Sequence, residues 1–171
     1  MQEKPGEDMN QGVDASAVLL SDEIVSFIES GTSIVLGVVG AGGRAQTGRA
    51  LAARVIAPST IRVIYAAEGN AAVTATARSE GPIAVTFSAP LSHRTLQMKG
   101  YACRFEVVDA DDLDCTARQT LAFAGVLAAI GLPPGFVQAF HEYRESEPLV
   151  LSFLVQAAFE QTPGPGAGRS I

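Results

Sequence analysis

Apolar and polar residues alternate along this chain in short blocks, and the blocks are separated by glycine, proline and small polar residues. Ser21 is placed to cap a short helix, with Asp22 and Glu23 in its first turn. Ile24, Phe27 and Ile28 share one face of that helix, and Gly31 stops it. Ser33 to Val39 is a continuous apolar run of strand length, followed by turn chemistry from Gly40 to Gly43. Ala50 to Ala57 is compatible with helix or strand. Pro58 and Ser59 make a turn, and Thr60 to Tyr65 is β-branched and alternating, so a strand is expected. Ala71 to Ser79 predicts a short helix ended by Gly81-Pro82, and Ile83 to Phe87 a buried strand.

The pattern then lengthens. From Thr95 to Val107, Leu96, Met98, Ala102 and Phe105 are apolar while Gln97, Lys99, Arg104 and Glu106 are polar, and Gly100 permits a bulge. Asp109 or Asp111 caps the longest helix, which runs to about Ile130. Leu113, Ala117, Leu121, Ala124 and Ala128 give it an apolar stripe, widened by Phe123, Val126, Leu127 and Ile130. Pro133 opens a short helix to about His141, and Leu149 to Phe159 predicts a last strand. The tail after Gln161 is too rich in glycine and proline for regular structure. About six strands joined mostly by tight turns favour an α+β fold, mainly β: a six-stranded antiparallel barrel flanked by helices.

Composition narrows the function. The chain has 171 residues, enough for one domain, with residues 1–17 expected to be a disordered polar segment and 18–171 the domain. Hydrophobic residues are 47% and charged residues 18%, which is apolar enough to expect a partner subunit. A net charge of −6 and no Trp argue against nucleic acid. No apolar run reaches the length of a membrane span and the N-terminus has no signal-like segment, so no membrane association and a cytoplasmic location are expected. Cys103 and Cys115 form no metal or redox motif. Lys4 and Lys99 are the only lysines, which makes Lys99 within a strand an unusual placement; it is either a solvated residue or part of a site.

One short motif points elsewhere. Gly40, Gly42 and Ala45 match G-x-G-x-x-A after an apolar strand, as in a dinucleotide-binding βαβ unit with Glu68 on the ribose. That reading needs a helix from Arg44 to Ala57. Gly48 lies inside it and costs about 1 kcal/mol there, and the remaining chain lacks alternating strands and full-length helices.

With Ile34 to Ala57 taken as two strands around a glycine-bearing hairpin, the chain resembles the pyridoxamine 5′-phosphate oxidase-like split barrels over about residues 20 to 168. The resemblance rests on that hairpin, on Gly81-Pro-Ile-Ala-Val85, on Ala89-Pro-Leu-Ser-His-Arg-Thr-Leu-Gln-Met-Lys-Gly100, and on the closing Phe159-Glu-Gln-Thr-Pro-Gly-Pro-Gly-Ala-Gly168. It implies a homodimer with FMN in the cleft between subunits. An Arg and a Lys five residues apart on the second strand hold the phosphate in that family, and Arg49 and Arg54 have this spacing. They can face one ligand only if a bulge resets the alternation, and Arg54 is the better candidate of the two. Arg94, Thr95, Gln97 and Lys99 fall on the strand that lines the flavin cleft, where Gln97 and Lys99 share a face. The oxidases carry Ser-Arg-Lys at the start of the helix after the third strand. Here Asn70-Ala-Ala-Val-Thr74 stands in its place, with Arg78 a turn later, which argues against the oxidase reaction itself.

No catalytic residue is assigned. His93 precedes the key strand and could act in proton transfer, or be structural. His141 lies at a polar helix end. Asp109, Asp111, Asp112 and Asp114 are better read as helix-capping acids than as a calcium loop. The resemblance thus implies an FMN-dependent oxidoreductase acting on a small-molecule substrate. A non-enzymatic dimer that binds flavin, haem or another small anionic ligand is the alternative, and an NAD(P)-binding protein the third reading.

Overall fold

The computed structural model describes residues 17–40, 42–77, 81–133, 135 and 148–171. The N-terminal segment expected to be disordered falls almost wholly outside them, as does most of the short helix expected after Pro133. Among the described residues three helices, α1 (Asp22–Ile28), α2 (Ala71–Ala77) and α3 (Ala110–Ala129), accompany seven strands: β1 (Ser33–Val39), β2 (Ala45–Ala50), β3 (Ala52–Ala57), β4 (Thr60–Ala66), β5 (Ile83–Ser88), β6 (Thr95–Glu106) and β7 (Pro148–Glu160).

The strands form one sheet in the order β2-β1-β5-β6-β7-β4-β3, and every neighbouring pair is antiparallel. β2 and β3 stand at opposite edges, yet they are two halves of one stretch broken only at Leu51. A chain that passes directly from one edge to the other requires the sheet to curl on itself. Leu51 marks the crossing: its N–H donates to Ile64 O of β4 (2.8 Å), while Ala50 still lies opposite Ile34 of β1. The seventh strand relative to the six expected is this bent one counted twice. The helix required by the dinucleotide-binding reading is absent, because Arg44 to Ala57 is strand on both sides of the bend.

Alternation builds the core. Ile34, Leu36 and Val38 of β1, Ile83, Val85 and Phe87 of β5, and Leu96 and Met98 of β6 all point inward and are buried. The alternation of β6 then fails. Its register with β7 shifts between Lys99 and Gly100 and again between Tyr101 and Arg104, and Phe105, expected inside, is exposed. Gly100 fits the first shift because a Cβ there would meet Leu154 O at 2.2 Å. Ser21 caps α1 as expected, its Oγ accepting from Ile24 N (3.4 Å), and Ile28 enters the core.

α3 packs outside the barrel on β3 and β4 with a face turned away from the Leu113–Leu121 stripe, so that of the expected apolar face only Phe123 and Leu127 are buried. Leu113 and Leu121 are exposed, whereas Asp112, Cys115, Thr116, Gln119, Phe123 and Leu127 are buried. Polar matches choose the face. Asp112 receives Arg62 of β4 (Nε to Oδ1 3.1 Å), and the same guanidinium meets Glu106 and Val107 O. Gln119 accepts from Ala53 N (3.1 Å) and donates to Ala53 O (2.7 Å). Around these contacts Ala52, Ile64, Cys115 and Val150 form a second small core. Asp109 and Asp112 cap α3 reciprocally.

Removing one member of a buried ion pair leaves the other charge uncompensated, at a cost of about 3–5 kcal/mol. Asp112→Ala should therefore lower the urea-unfolding free energy by about that much, and Asp112→Leu combined with Arg62→Met by clearly less. The cap also predicts a pH dependence. The N–H of Asp112, and then Arg54, hold the Asp109 carboxyl below its ordinary value. A depressed folded pKa stabilises above the unfolded value and is lost as pH falls through the folded one. The urea midpoint should thus fall below about pH 4, and Asp109→Asn should make that fall shallower.

Candidate functional site

The antiparallel register lays side chains in rows across the outer face of β2, β1, β5, β6 and β7, the face that does not meet the core. Directly opposed residues share a face. One row runs Arg49, Val35, Thr86, Gln97, Phe159; the next runs Thr47, Gly37, Ala84, Lys99, Ala157; a third begins at Ser33 and passes Ser88 to Thr95. These rows hold two cations, hydroxyls, a carboxamide, one aromatic ring and small residues. No carboxylate stands in them, although the chain carries 18 Asp and Glu against 12 Lys and Arg.

Arg49 donates through Nη2 to Ser33 Oγ (2.9 Å), and burial draws its guanidinium below the ordinary value. A group so desolvated gains from an anionic neighbour. Gln97 donates through Nε2 to Thr86 Oγ1 (3.1 Å), its neighbour in the row. Lys99 is exposed, its ammonium 4.8 Å from the centre of the Phe159 ring. Thr95 starts β6: its N–H donates to Thr162 Oγ1 (3.0 Å) and its hydroxyl meets Ser88 Oγ (3.1 Å). At the middle of the face Gly37 and Ala84 make a shallow bed, with nothing closer than 3.8 Å to where a side chain on Gly37 would begin.

The other candidates stand apart from these rows. Arg94 is held at the entry of β6 by Glu23 (2.7 Å) and lies over the Phe27 ring at 4.7 Å. Arg54 shares the outer side of the barrel with Arg49, because the bend at Leu51 resets the alternation: Ala50 packs on the main core and Ala52 on the cluster under α3. Its guanidinium is taken up by acids at the start of α3, Asp109 (3.0 Å) and Asp111 (3.2 Å), with Asp112 at 3.6 Å. Those acids act as cap and counter-ions. Cys115 is buried, which pushes its thiol up to about 11 and removes it as a nucleophile near neutral pH. His93 sits in an exposed loop with φ of 59°, its N–H closing a turn onto Ala89 O (2.9 Å). His141, Arg78 and the side chain of Cys103 lie outside the described residues. Among the described residues no three His, Cys, Asp or Glu side chains converge as metal ligands, and no helix is long and apolar enough to cross a membrane.

Sequence reasoning missed Thr86, Phe159 and Asn70. Thr86 and Phe159 alternate like any strand residue, and only the register brings them beside Gln97. Asn70 had a signal, since a carboxamide before a short apolar helix is a capping pattern. No protein-family model matches the chain, and no curated protein does. Solved structures do match. HupZ of Group A Streptococcus is 15% identical, with 88% of this chain and 100% of that one covered at a TM-score of 0.52. A candidate pyridoxamine 5′-phosphate oxidase of Lactobacillus delbrueckii is 16% identical, with 82% and 93% covered at 0.51. The chain has the split-barrel fold of the pyridoxamine 5′-phosphate oxidase-like proteins. An F420 reductase shares it too, at 15% identity and a TM-score of 0.52 over 81% of this chain and 98% of that one. At these identities the likeness carries the fold alone.

Proposed function

We propose that this split barrel is an FMN-binding flavoprotein that works as a homodimer and moves a hydride between a reduced donor and a small acceptor. The observation that carries the reading is the set of rows free of carboxylates on the outer face, with Arg49 and Lys99 at their two sides and a shallow apolar bed between them. Neighbouring strands lie about 4.8 Å apart, so the three steps from β2 to β6 separate the two backbones by about 14 Å. That span suits a flat ligand with a phosphate at one end and an electron-rich polar edge at the other.

The residues fit FMN on their chemistry. Arg49 offers a guanidinium to the phosphate. Gln97 can donate and accept at the polar edge of the ring, and Lys99 adds a cation there. Thr95 extends the polar margin, and Val35 and Phe159 supply apolar contact. Arg54 and Arg94 already have carboxylate partners, and in this reading they support the site from outside it. FMN, when bound, supplies the two-electron chemistry, which is why no side chain need act as nucleophile. The protein's part is to bind, orient and exclude water. A second copy would cover the face: Val35, Tyr101 and Leu154 are 37%, 58% and 41% exposed, and Tyr101 lies opposite Leu154 just beyond Lys99.

One observation favours a second reading, a binding module without turnover. α2 begins with Ala71 and Ala72, where the oxidases have cations, so the phosphate has fewer partners here.

Added FMN should lose fluorescence on the wild-type protein and keep its visible spectrum through gel filtration. A hydrogen bond to a charged group is worth about 1.5–3 kcal/mol, so Arg49→Ala should weaken FMN about 10- to 100-fold. Lys99→Met should weaken it less. A wild type that leaves FMN unquenched, or two variants that bind as wild type, would sink the reading. Bound FMN that no nicotinamide donor reduces would move it to the binding module. Light scattering should give a dimer, and a monomer would remove the shared cleft.

A further inference from the structure

We infer that Asn70 is a positioning residue that fixes Arg49 on the proposed binding face; the inference rests on that reading of the face. Arg49 lies opposite Val35 with its own N–H and C=O turned away from β1, toward the open edge of β2. The Asn70 carboxamide takes both. Its Oδ1 accepts from Arg49 N (3.1 Å), and its Nδ2 donates to Arg49 O (3.3 Å) and to Ala66 O at the end of β4 (2.8 Å). One buried side chain thus pairs with the edge as a neighbouring strand would, and ties that edge to β4 and to the start of α2.

Residue 48 has to be glycine for this contact to exist. A Cβ on Gly48 would stand 2.0 Å from Asn70 Oδ1 and 3.0 Å from a Val73 methyl, so any side chain there drives the carboxamide off the strand. An unpaired strand edge next to a bend can twist. Pinning its backbone at Arg49 sets where that residue's Cβ leaves the sheet, and hence where its guanidinium reaches Ser33 Oγ and the face beyond. Asn70 touches no ligand in this scheme; it acts through Arg49.

Two substitutions break the clamp in different ways. Asn70→Ala removes the carboxamide, and Gly48→Ala displaces it while leaving it in the chain. The first readout needs no ligand: amide exchange at Arg49 and the Arg49 Nε–H resonance, measured by NMR. Each variant should speed Arg49 amide exchange about 10-fold or more relative to Val85 in β5, and should shift the Nε–H resonance. The second readout is FMN titration of each variant with and without Arg49→Ala. Each should weaken FMN about 5- to 10-fold when Arg49 is present and add nothing when it is absent, as coupled residues do. Equal losses in both backgrounds would reveal general damage and overturn the inference, as would unchanged affinity. An unchanged Arg49 exchange rate and resonance would overturn it whatever FMN does. If the wild type takes up no FMN, the flavin reading falls, and the clamp on Arg49 stands or falls on the NMR readout alone.

Discussion

A barrel closed by one bent strand has an unpaired edge on each side of the bend, and the backbone groups there must still find partners. The stretch 45–57 meets this constraint with side chains. Asn70 takes the N–H and C=O of Arg49, Gln119 those of Ala53, and Glu29 accepts from Val55 N at 2.8 Å. These three come from the start of α2, the middle of α3 and the residue that ends α1. Each helix is therefore attached to the closing strand by a polar contact with its backbone. The apolar contacts add area, and the polar ones fix register, because a buried amide tolerates little displacement from its partner.

The same logic explains why α3 turns a polar face inward. Burying Asp112 alone would be prohibitive. With Arg62 across from it, Glu106 and Val107 O on the remaining guanidinium hydrogens, and Asp109 completing the cap, the charges are matched group by group. Arg54 then has its own place at the helix N-terminus, between Asp109 and Asp111, and the four carboxylates of that corner share the two arginines. A cation held by several carboxylates is poorly placed to take a phosphate, which is why the proposed reading gives that role to Arg49 and not to Arg54.

Elements whose character is local were legible in the sequence. β1 and β5 announce themselves as short apolar runs, the first half of β6 shows its inward face by alternation, and Ser21 and Asp109 announce the helices they cap. The stretch Ala50 to Ala57 was ambiguous because its composition suits helix and strand alike, and only pairing with β4 decides. The face of α3 was misjudged because hydrophobicity was the only guide, whereas Arg62 and the Ala53 backbone, more than fifty residues away, set it. Phe105 stands nine residues from Leu96 and so out of step with the apolar set of the first half of β6, and it lies beyond the two register shifts, which the sequence does not show. The candidate site depends on such parity in five strands at once. Gln97 and Lys99 could be placed on one face from their spacing, but Thr86, Phe159 and Arg49 join them only through registers no local pattern encodes.

That face bears on function through what it lacks. In a chain with six more acidic than basic charges, a random surface would place carboxylates near any lysine. Lys99 instead lies among threonines, glutamine, alanines and a phenylalanine ring, and Arg49 is partly desolvated beside Ser33. Away from these rows, Arg54, Arg62 and Arg94 each lie against acids. Coulomb attraction falls with distance and is largely screened by salt beyond about 10 Å, so the charges in these rows, more than the net charge, bear on what approaches this face. In the proposed reading an anionic ligand meets Arg49 and Lys99 at close range with a flat apolar bed between them, and no carboxylate in these rows opposes it.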